Sequence, residues 1–258
     1  MRSTLFNALY VAVSAAFVGA LAPLSLLPGT KAIRWAARAY ARTILFLMQH
    51  VAGIRVEMRG AQRLPDGPFL IAAKHQSWGD GYAMVSYFDD LTFVAGDHLE
   101  RFPMVANILS KLGAIVVDNC GGHKARQRLA DSFVVAAEEK RPVLIYPEGH
   151  LSKVGEHHAY RSGVWHMQKA CGWPVVPVAT NLGLFWSQQD ALKTPGKAIN
   201  EFLEPIPAGL SKDEFMARLE AACETNTARL VAEVRGGEPQ KAILVDFAGE
   251  AAPVLAKA

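Results

Sequence analysis

Acidic residues are absent from the first 56 positions of the chain, and the first one is Glu57. Six of the 27 Lys and Arg residues lie in that stretch, which therefore carries a formal charge of +6, whereas the remainder, with all 24 acidic residues, carries −3. A basic, apolar front end on a mildly acidic body favours a membrane surface as its partner. The remainder has no compact basic patch interleaved with aromatic residues, so we do not expect nucleic-acid binding.

Cysteine is also scarce, and several familiar motifs are missing. The three cysteines, at positions 120, 171 and 223, form no paired motif, which argues against a disulfide framework or a zinc site and favours a reducing compartment. There is no P-loop, no G-x-G-x-x-G turn and no G-x-S-x-G nucleophile elbow. The loop pair His157-His158 lacks nearby acidic ligands, so no metal site is predicted.

An uncharged apolar run begins directly after Arg2. As a helix, Leu5–Ala22 would be about 27 Å long, close to the length that crossing a bilayer needs. Pro23 and Pro28 then interrupt the run. Pro23 disfavours a cleaved signal peptide at this position. A single transmembrane span stays open as an alternative. Our preferred interpretation is a hairpin of two helices that enters only one leaflet of the membrane. An ordinary buried helix pair is disfavoured by the lack of acidic residues.

The second half of this predicted hairpin, Lys31–Val51, has the periodicity of an amphipathic helix. Five apolar residues share one face at 100° per residue: Ile33, Tyr40, Ile44, Leu47 and Val51. Arg34, Arg38 and Arg42 form a stripe on another face. We expect this helix to lie among lipid headgroups, with the three arginines on lipid phosphates.

After Gly53, short β-rich runs alternate with helical segments. The predicted strands are 54–58, 69–73, 91–95, 114–117, 143–146, 175–179 and 198–202. The predicted helices are 81–88, 102–112, 124–139, 162–170 and 212–234. This alternation predicts an α/β layered domain with a largely parallel central sheet flanked by helices. We divide the chain into a membrane-anchoring helical segment (1–52), this α/β domain (53–235) and a loosely packed C-terminal tail (236–258).

Four groups of chemically distinctive residues follow or occupy predicted strands. In the first, the run from Lys74 to Asp80, His75 and Asp80 are five positions apart. At a strand-to-helix turn the carboxylate can fold back onto the imidazole, fix its tautomer through Nδ1–H and leave Nε2 as a general base. Ser77 is expected to hydrogen-bond within this turn.

The other three groups are ordinary when each is taken alone. They are Gly113–Asp118, with Asn119 after it; Tyr146-Pro147-Glu148-Gly149; and Val175–Ala179, which leads to Thr180-Asn181. In open α/β folds ligands collect at the carboxyl edge of the sheet, where Glu148 and the backbone amides near Gly149 would lie.

Taken in this order, the four groups resemble the sequence blocks of the 1-acylglycerol-3-phosphate acyltransferase (PlsC-type) family of glycerolipid acyltransferases. His75 and Asp80 match the block His-x-x-x-x-Asp, and Gly113–Asp118 matches the second block. Residues 146–149 match part of Phe-Pro-Glu-Gly-Thr-Arg, and residues 176–179 match Val-Pro-Val-Ala. The resemblance covers roughly residues 54–234.

The resemblance implies transfer of an acyl group from acyl-CoA or acyl carrier protein to the hydroxyl of a lysolipid. With lysophosphatidic acid as acceptor, the product is phosphatidic acid. It implies His75 as the general base, Asp80 as its orienting carboxylate, and amides after His75 as donors to the oxyanion. The expected substrate-binding residues are Lys74, Ser77, Asp118, Glu148, Gly149 and Arg161. No metal or cofactor is expected, and the catalytic domain would face the cytoplasm at the inner membrane.

Two departures concern the acceptor's phosphate. Asn119 follows Asp118 where the family usually has Arg, and His150-Leu151 stands where it usually has Thr-Arg. Arginine is favoured at phosphates because its planar fork matches the oxygens. Possible substitutes are Arg161 first, then Lys124, Arg126, Arg128 and Lys153. The absence of the two arginines leaves open a different acceptor, such as a lyso-ornithine lipid. Two other functions are less favoured: a non-catalytic lipid-binding protein and a soluble hydrolase.

Overall fold

The computed structural model describes residues 1–26, 28–96, 103–117, 138–139, 141–188 and 190–245. Its helices are α1 (Arg2–Leu26), α2 (Lys31–Leu47), α3 (Trp78–Tyr87), α4 (Pro103–Leu112), α5 (Gly163–Cys171) and α6 (Lys212–Arg235). Its strands are β1 (Ile54–Arg59), β2 (Leu70–Ala73), β3 (Thr92–Gly96), β4 (Ile115–Val117), β5 (Val143–Ile145), β6 (Glu156–His157), β7 (Val175–Thr180), β8 (Gly196–Phe202) and β9 (Ile243–Leu244).

All seven predicted strands are present, each within two residues of its predicted ends. Four of the five predicted helices are found as well, and the fifth, 124–139, lies almost entirely outside the described residues. The two predicted hairpin helices differ from the structure by up to four residues, because α1 continues through Pro23 to Leu26, where a break was expected, and α2 ends at Leu47. Among the helices of the α/β domain, the largest boundary error is at α3, which begins three residues earlier than predicted. The cause is a capping box, in which Ser77 Oγ accepts from the amide of Gly79 at 3.0 Å and Asp80 accepts from the amide of Ser77 at 2.8 Å.

The central sheet has the strand order β1-β8-β7-β2-β5-β3-β4. Neighbouring strands are parallel except for the antiparallel pair β7–β8, so among the described strands the predicted largely parallel sheet is confirmed. Every residue of β2 and β7 is buried, as expected for central strands covered by helices on both faces. Because β2 and β5 are adjacent and parallel, their carboxyl ends lie side by side.

Helices α1 and α2 form a hairpin that packs on the α/β domain. Phe6 is fully buried, and its ring meets Trp186 edge-on at 5.1 Å. The hydroxyl of Tyr82 on α3 lies 2.9 Å from that of Tyr10 and 3.1 Å from that of Tyr40. Both helices of the hairpin are thereby joined to α3, the helix that follows the His75 turn.

Helix α1 is long and apolar enough to cross a membrane by length and composition. Its most apolar window has a mean hydropathy of 1.9, and 11% of that window is buried inside the structure. Several large apolar side chains of α1 and α2 are exposed: Leu5, Val11, Val18, Leu26, Trp35 and Phe46. The hairpin therefore presents an apolar surface on the side away from the sheet.

Two of the three arginines in the basic stripe of α2 pair with acidic side chains of the protein, and Arg42 is exposed. Arg34 pairs with Asp90 at 3.0 Å and with Glu139 at 2.8 Å, and Arg38 pairs with Asp89. The prediction of lipid-phosphate contacts is wrong for these two arginines, because both already pair with carboxylates of the protein. Two of these carboxylates, Asp89 and Asp90, lie in the turn after α3. The predicted apolar face is confirmed for Ile33, Ile44 and Leu47, which are buried.

The C-terminal tail is attached to the domain through residue 245 rather than loose. Strand β9 pairs in parallel with β6, with the amide of Ile243 donating to the carbonyl of Gly155 and the amide of Val245 to that of His157, both at 2.9 Å. The tail thus adds a strand to the loop that follows β5. Residues 246–258 lie outside the described residues.

Asn181 links three elements through buried hydrogen bonds, and its loss should destabilise the fold. Its Nδ2 donates to the carbonyl of Leu230 at 3.0 Å, and its Oδ1 accepts from the amide of Ile199 at 2.8 Å. We expect Asn181→Ala to lower the free energy of unfolding by about 2–4 kcal/mol, because two buried backbone groups lose their partners. Urea unfolding in detergent measures the free energy of unfolding. The control is Asn226→Ala, on α6, and a loss for Asn181→Ala no larger than that of the control would contradict the expectation.

Candidate active site

The turn between β2 and α3 brings His75 and Asp80 together. Asp80 Oδ2 accepts from the amides of Gln76 and Ser77, each at 2.8 Å, and lies 3.2 Å from His75 Nδ1. The side chain of Asp80 is 2% exposed and that of His75 is 18% exposed. A buried carboxylate therefore meets one ring nitrogen of an imidazole that still reaches the surface. The contact predicted from the five-residue spacing is present.

This geometry selects the tautomer of His75. A carboxylate at Nδ1 favours the form in which Nδ1 carries the proton, so Nε2 keeps its lone pair. The ring is also fixed from its face, because it stacks on the ring of Tyr146 with centroids 3.8 Å apart and planes 17° from parallel. The imidazole is thus held by an edge contact and a face contact, and Nε2 is available to accept a proton.

The structure changes the expected source of oxyanion donors. The amides of Gln76 and Ser77 donate to Asp80, and the amide of Gly79 donates to Ser77 Oγ at 3.0 Å. These three amides already donate within the turn, so they are not free to donate to an oxyanion. Within the described ranges, the amide of Trp78, the first residue of α3, has no such partner, and it lies at the positive end of the helix.

Lys74 and Glu148 form a buried ion pair beneath His75. Lys74 Nζ lies 3.0 Å from Glu148 Oε2, 2.9 Å from Glu224 Oε1 and 3.1 Å from the carbonyl of Glu156. The side chains of Lys74 and Glu148 are 0% exposed. Sequence reasoning placed both in contact with the acceptor; the structure places them under the site, where they hold its loops.

Two further predicted substrate-binding residues, Glu148 and Ser77, make hydrogen bonds that hold the backbone around His75. Glu148 Oε2 accepts from the amide of His158 at 2.9 Å, and its other oxygen lies 3.5 Å from the amide of His75. The carboxylate thereby connects the His75 turn to the loop after β5. Ser77 is fully buried and caps α3, which fits the expected hydrogen bonding within the turn and not the predicted substrate contact.

The exposed side of the site is formed by the turn after β5. Gly149 has a φ of 73°, a left-handed conformation that favours glycine. The guanidinium of Arg161 packs on it so closely that a Cβ there would lie 3.1 Å from Arg161 Cζ. Arg161 Nη2 is also 3.2 Å from His150 Nε2, and the rings of His150 and His158 are 6.2 Å apart. Gly149 and Arg161, both predicted substrate-binding residues, therefore lie together at this rim.

Some candidate residues fall outside the described chain, and others were missed. Asp118, together with Lys124, Arg126 and Arg128, lies outside the described residues. Sequence reasoning missed Glu224, since nothing local ties a glutamate on α6 to a lysine 150 positions earlier. It also missed the stacking of Tyr146, although the adjacency of β2 and β5 could have indicated it.

Lys74 neutralises the carboxylates of Glu148 and Glu224, so its removal should destabilise the folded protein. We expect Lys74→Met to destabilise the protein by about 3–5 kcal/mol, because Glu148 and Glu224 would be left as buried charges without their counter-ion. Lys197→Met, which breaks an exposed pair with Glu57, should cost no more than about 1 kcal/mol. Urea unfolding compares the two, and equal losses would contradict the buried network.

The chain is similar to known acyltransferases. Residues 55–181 match the family described as Acyltransferase. The 1-acyl-sn-glycerol-3-phosphate acyltransferase of Pseudomonas aeruginosa is 31% identical over 171 residues, which cover 66% of this chain and 66% of that protein. The human 1-acyl-sn-glycerol-3-phosphate acyltransferase alpha is 25% identical over 187 residues, which cover 68% and 64%. The chain thus spans about two thirds of the length of these curated relatives.

A solved structure shares the fold. The crystal structure of the 1-acyl-sn-glycerophosphate acyltransferase PlsC from Thermotoga maritima matches with a TM-score of 0.69 and 18% identity, covering 93% of this chain and all of that one. The matched sequence of residues 55–181 contains the His75–Asp80 turn, the turn after β5 and strand β7. The chain belongs to the Acyltransferase family.

Proposed function

We propose that the protein transfers a fatty acyl group from a thioester to the free hydroxyl of 1-acylglycerol-3-phosphate, which gives phosphatidic acid in phospholipid synthesis. The observation that carries this proposal is the contact between His75 Nδ1 and the buried Asp80 at the carboxyl end of β2. The names of the relatives supply the acceptor. The donor is acyl-CoA or acyl carrier protein, and no metal or cofactor takes part.

In the proposed reaction, His75 Nε2 removes the proton from the acceptor hydroxyl while the hydroxyl oxygen attacks the thioester carbonyl. Asp80 stabilises the imidazolium that results. The tetrahedral intermediate then collapses, the C–S bond breaks, and the proton on His75 passes to the leaving thiolate. The amide of Trp78 is our candidate donor to the oxyanion.

The acceptor's phosphate requires a cation at the rim of the site. Arg161 is exposed and lies against Gly149, at the turn whose usual arginine is replaced by Leu151. We assign the phosphate contact to Arg161, because its planar fork can bind two phosphate oxygens. Gly149 contributes by allowing the guanidinium to lie flat on the backbone.

The lipid nature of acceptor and product accounts for the hairpin. We propose that α1 and α2 lie in one leaflet of the inner membrane, with the α/β domain on the cytoplasmic side. The support is the exposed apolar surface of α1 and α2 and the small buried share of α1. Because α3 contacts both hairpin helices through Tyr82, the same contacts would hold the His75 turn near the bilayer.

A second acceptor class follows from the replaced arginines. His150-Leu151 occupies the positions where the family usually has Thr-Arg. A site that lacks these fixed positive charges suits a lysolipid with a different head group, such as a lyso-ornithine lipid. The acyl-transfer chemistry of His75 and Asp80 would be the same for either acceptor.

Removal of His75 tests the proposed general base. With acyl-CoA and lysophosphatidic acid in detergent, we expect His75→Ala to lower kcat by about 10²- to 10⁴-fold, because proton removal from the hydroxyl is lost. His166→Ala, on α5, serves as the matched control and should keep its rate. An active His75→Ala enzyme would refute the proposed role.

Removal of Arg161 tests the phosphate contact. We expect Arg161→Ala to raise KM for lysophosphatidic acid by about 10- to 100-fold with kcat changed little, because a charge-assisted hydrogen bond is lost in both ground and transition states. Steady-state kinetics with Lys169→Ala as the charge-matched control measure this. An unchanged KM would assign the phosphate to other residues.

A further inference from the structure

Tyr146 has a contact that the proposed reaction has not used. It directly follows β5, whose residues pair in parallel with those of β2, so its ring lies beside the turn that carries His75. The two rings stack with centroids 3.8 Å apart and planes 17° from parallel. The block that this turn resembles has Phe here. An aromatic ring therefore stands at this position in both, and in this chain the ring carries a hydroxyl.

The charge on His75 changes during the proposed reaction, and the Tyr146 ring is already stacked on it in this structure. The imidazole must be neutral to accept a proton, and it carries a positive charge once it has done so. A cation lying over an aromatic face within about 6 Å is attracted by the electron-rich ring. An interaction that strengthens only as the charge develops lowers the barrier without tightening substrate binding.

We propose that Tyr146 is a positioning residue whose ring face stabilises the protonated imidazole of His75 in the transition state and fixes the orientation of that ring. This inference rests on the proposed function of His75 as the general base. It assigns the effect to the aromatic face and not to the Tyr146 hydroxyl.

The hydroxyl of Tyr146 supports this division of roles. It is buried and has no hydrogen-bond partner among the described residues. Burial, together with the negative charge of Asp80, raises the pKa of Tyr146 well above its usual value, so the phenol stays protonated and neutral. A neutral phenol and a phenyl ring present similar aromatic faces, and Tyr146→Phe should therefore preserve the contact.

The charged groups around His75 stay constant when Tyr146 is changed. Asp80 approaches Nδ1 from α3, and Glu148 approaches the His75 amide from the turn after β5. Lys74, from the same turn as His75, is neutralised by Glu148 and Glu224. None of these contacts involves the Tyr146 side chain, so substitutions there isolate the effect of the ring.

The test compares Tyr146→Phe, Tyr146→Leu and Tyr146→Met in the full-length protein, with acyl-CoA and lysophosphatidic acid as substrates. We expect Tyr146→Phe to keep kcat within about threefold. We expect the two aliphatic variants to lose about 2- to 30-fold in kcat with KM for both substrates little changed. The acidic limb of their kcat/KM profile should move to lower pH, since the protonated ring is less stable without the aromatic face.

Phe69→Leu is the matched control for a generic loss of aromatic packing. Phe69 precedes β2, is buried in the same apolar cluster as Tyr146 and packs 6.1 Å from Phe88. It should leave the pH profile unchanged, and thermal unfolding shows which variants are folded. Either aliphatic variant, if folded, suffices for the comparison.

Two results would overturn the inference. One is wild-type kcat and pH profile in a folded aliphatic variant, and the other is an equal loss in Tyr146→Phe, which would assign the effect to the hydroxyl. His75→Ala, measured beside them, separates the two proposals. If it is fully active the general base itself is wrong, whereas if it is inactive while Tyr146→Leu is normal, only the role of Tyr146 is wrong.

Discussion

The carboxylate of Asp80 accepts hydrogen bonds from two backbone amides and contacts the imidazole of His75, and the geometry of the site depends on this one group. The same carboxylate caps α3, so the start of the helix and the orientation of the imidazole have a common cause. Movement of this side chain would break both the capping box of α3 and the contact with His75. This gives the proposed base a fixed position at the edge of the sheet.

A second constraint lies below the turn, in the buried charges of Lys74, Glu148 and Glu224. Glu148 belongs to the turn after β5 and Glu224 to α6, and Lys74 joins them to the end of β2. Because buried charges are costly when unpaired, these three elements must keep their relative positions. The exposed rim formed by Gly149 and Arg161 is thus built on a base held by these ion pairs, which suits the proposed alignment of an acyl thioester and a lysolipid.

The strands and the His75–Asp80 contact were predictable from the sequence because both depend on local patterns. Apolar runs bounded by turn residues indicate strands, and a His and an Asp five positions apart after such a run can meet at a strand-to-helix turn. The roles of Lys74 and Glu148 were not predictable in this way. Their burial depends on Glu224, which approaches only when α6 packs on the sheet.

In the hairpin, too, local patterns predicted secondary structure but not the partners of individual side chains. The apolar face of α2 followed from its 3.6-residue period, and the structure confirms it. The partners of Arg34 and Arg38 did not follow, since Asp90 and Asp89 lie about fifty positions further along the chain and come near only through the packing of α2 on α3. Periodicity assigns a residue to a helix face but does not identify what covers that face.

The central claim is acylation of lysophosphatidic acid, and a competition among acceptors tests it most directly. The full-length protein in detergent would receive labelled acyl-CoA, or acylated carrier protein, with equal amounts of lysophosphatidic acid, lyso-ornithine lipid and lysophosphatidylcholine. Mass spectrometry would then identify the labelled product. The account predicts phosphatidic acid as the main labelled product. It would be contradicted if another lysolipid gave the main product, or if no lipid were labelled with either donor.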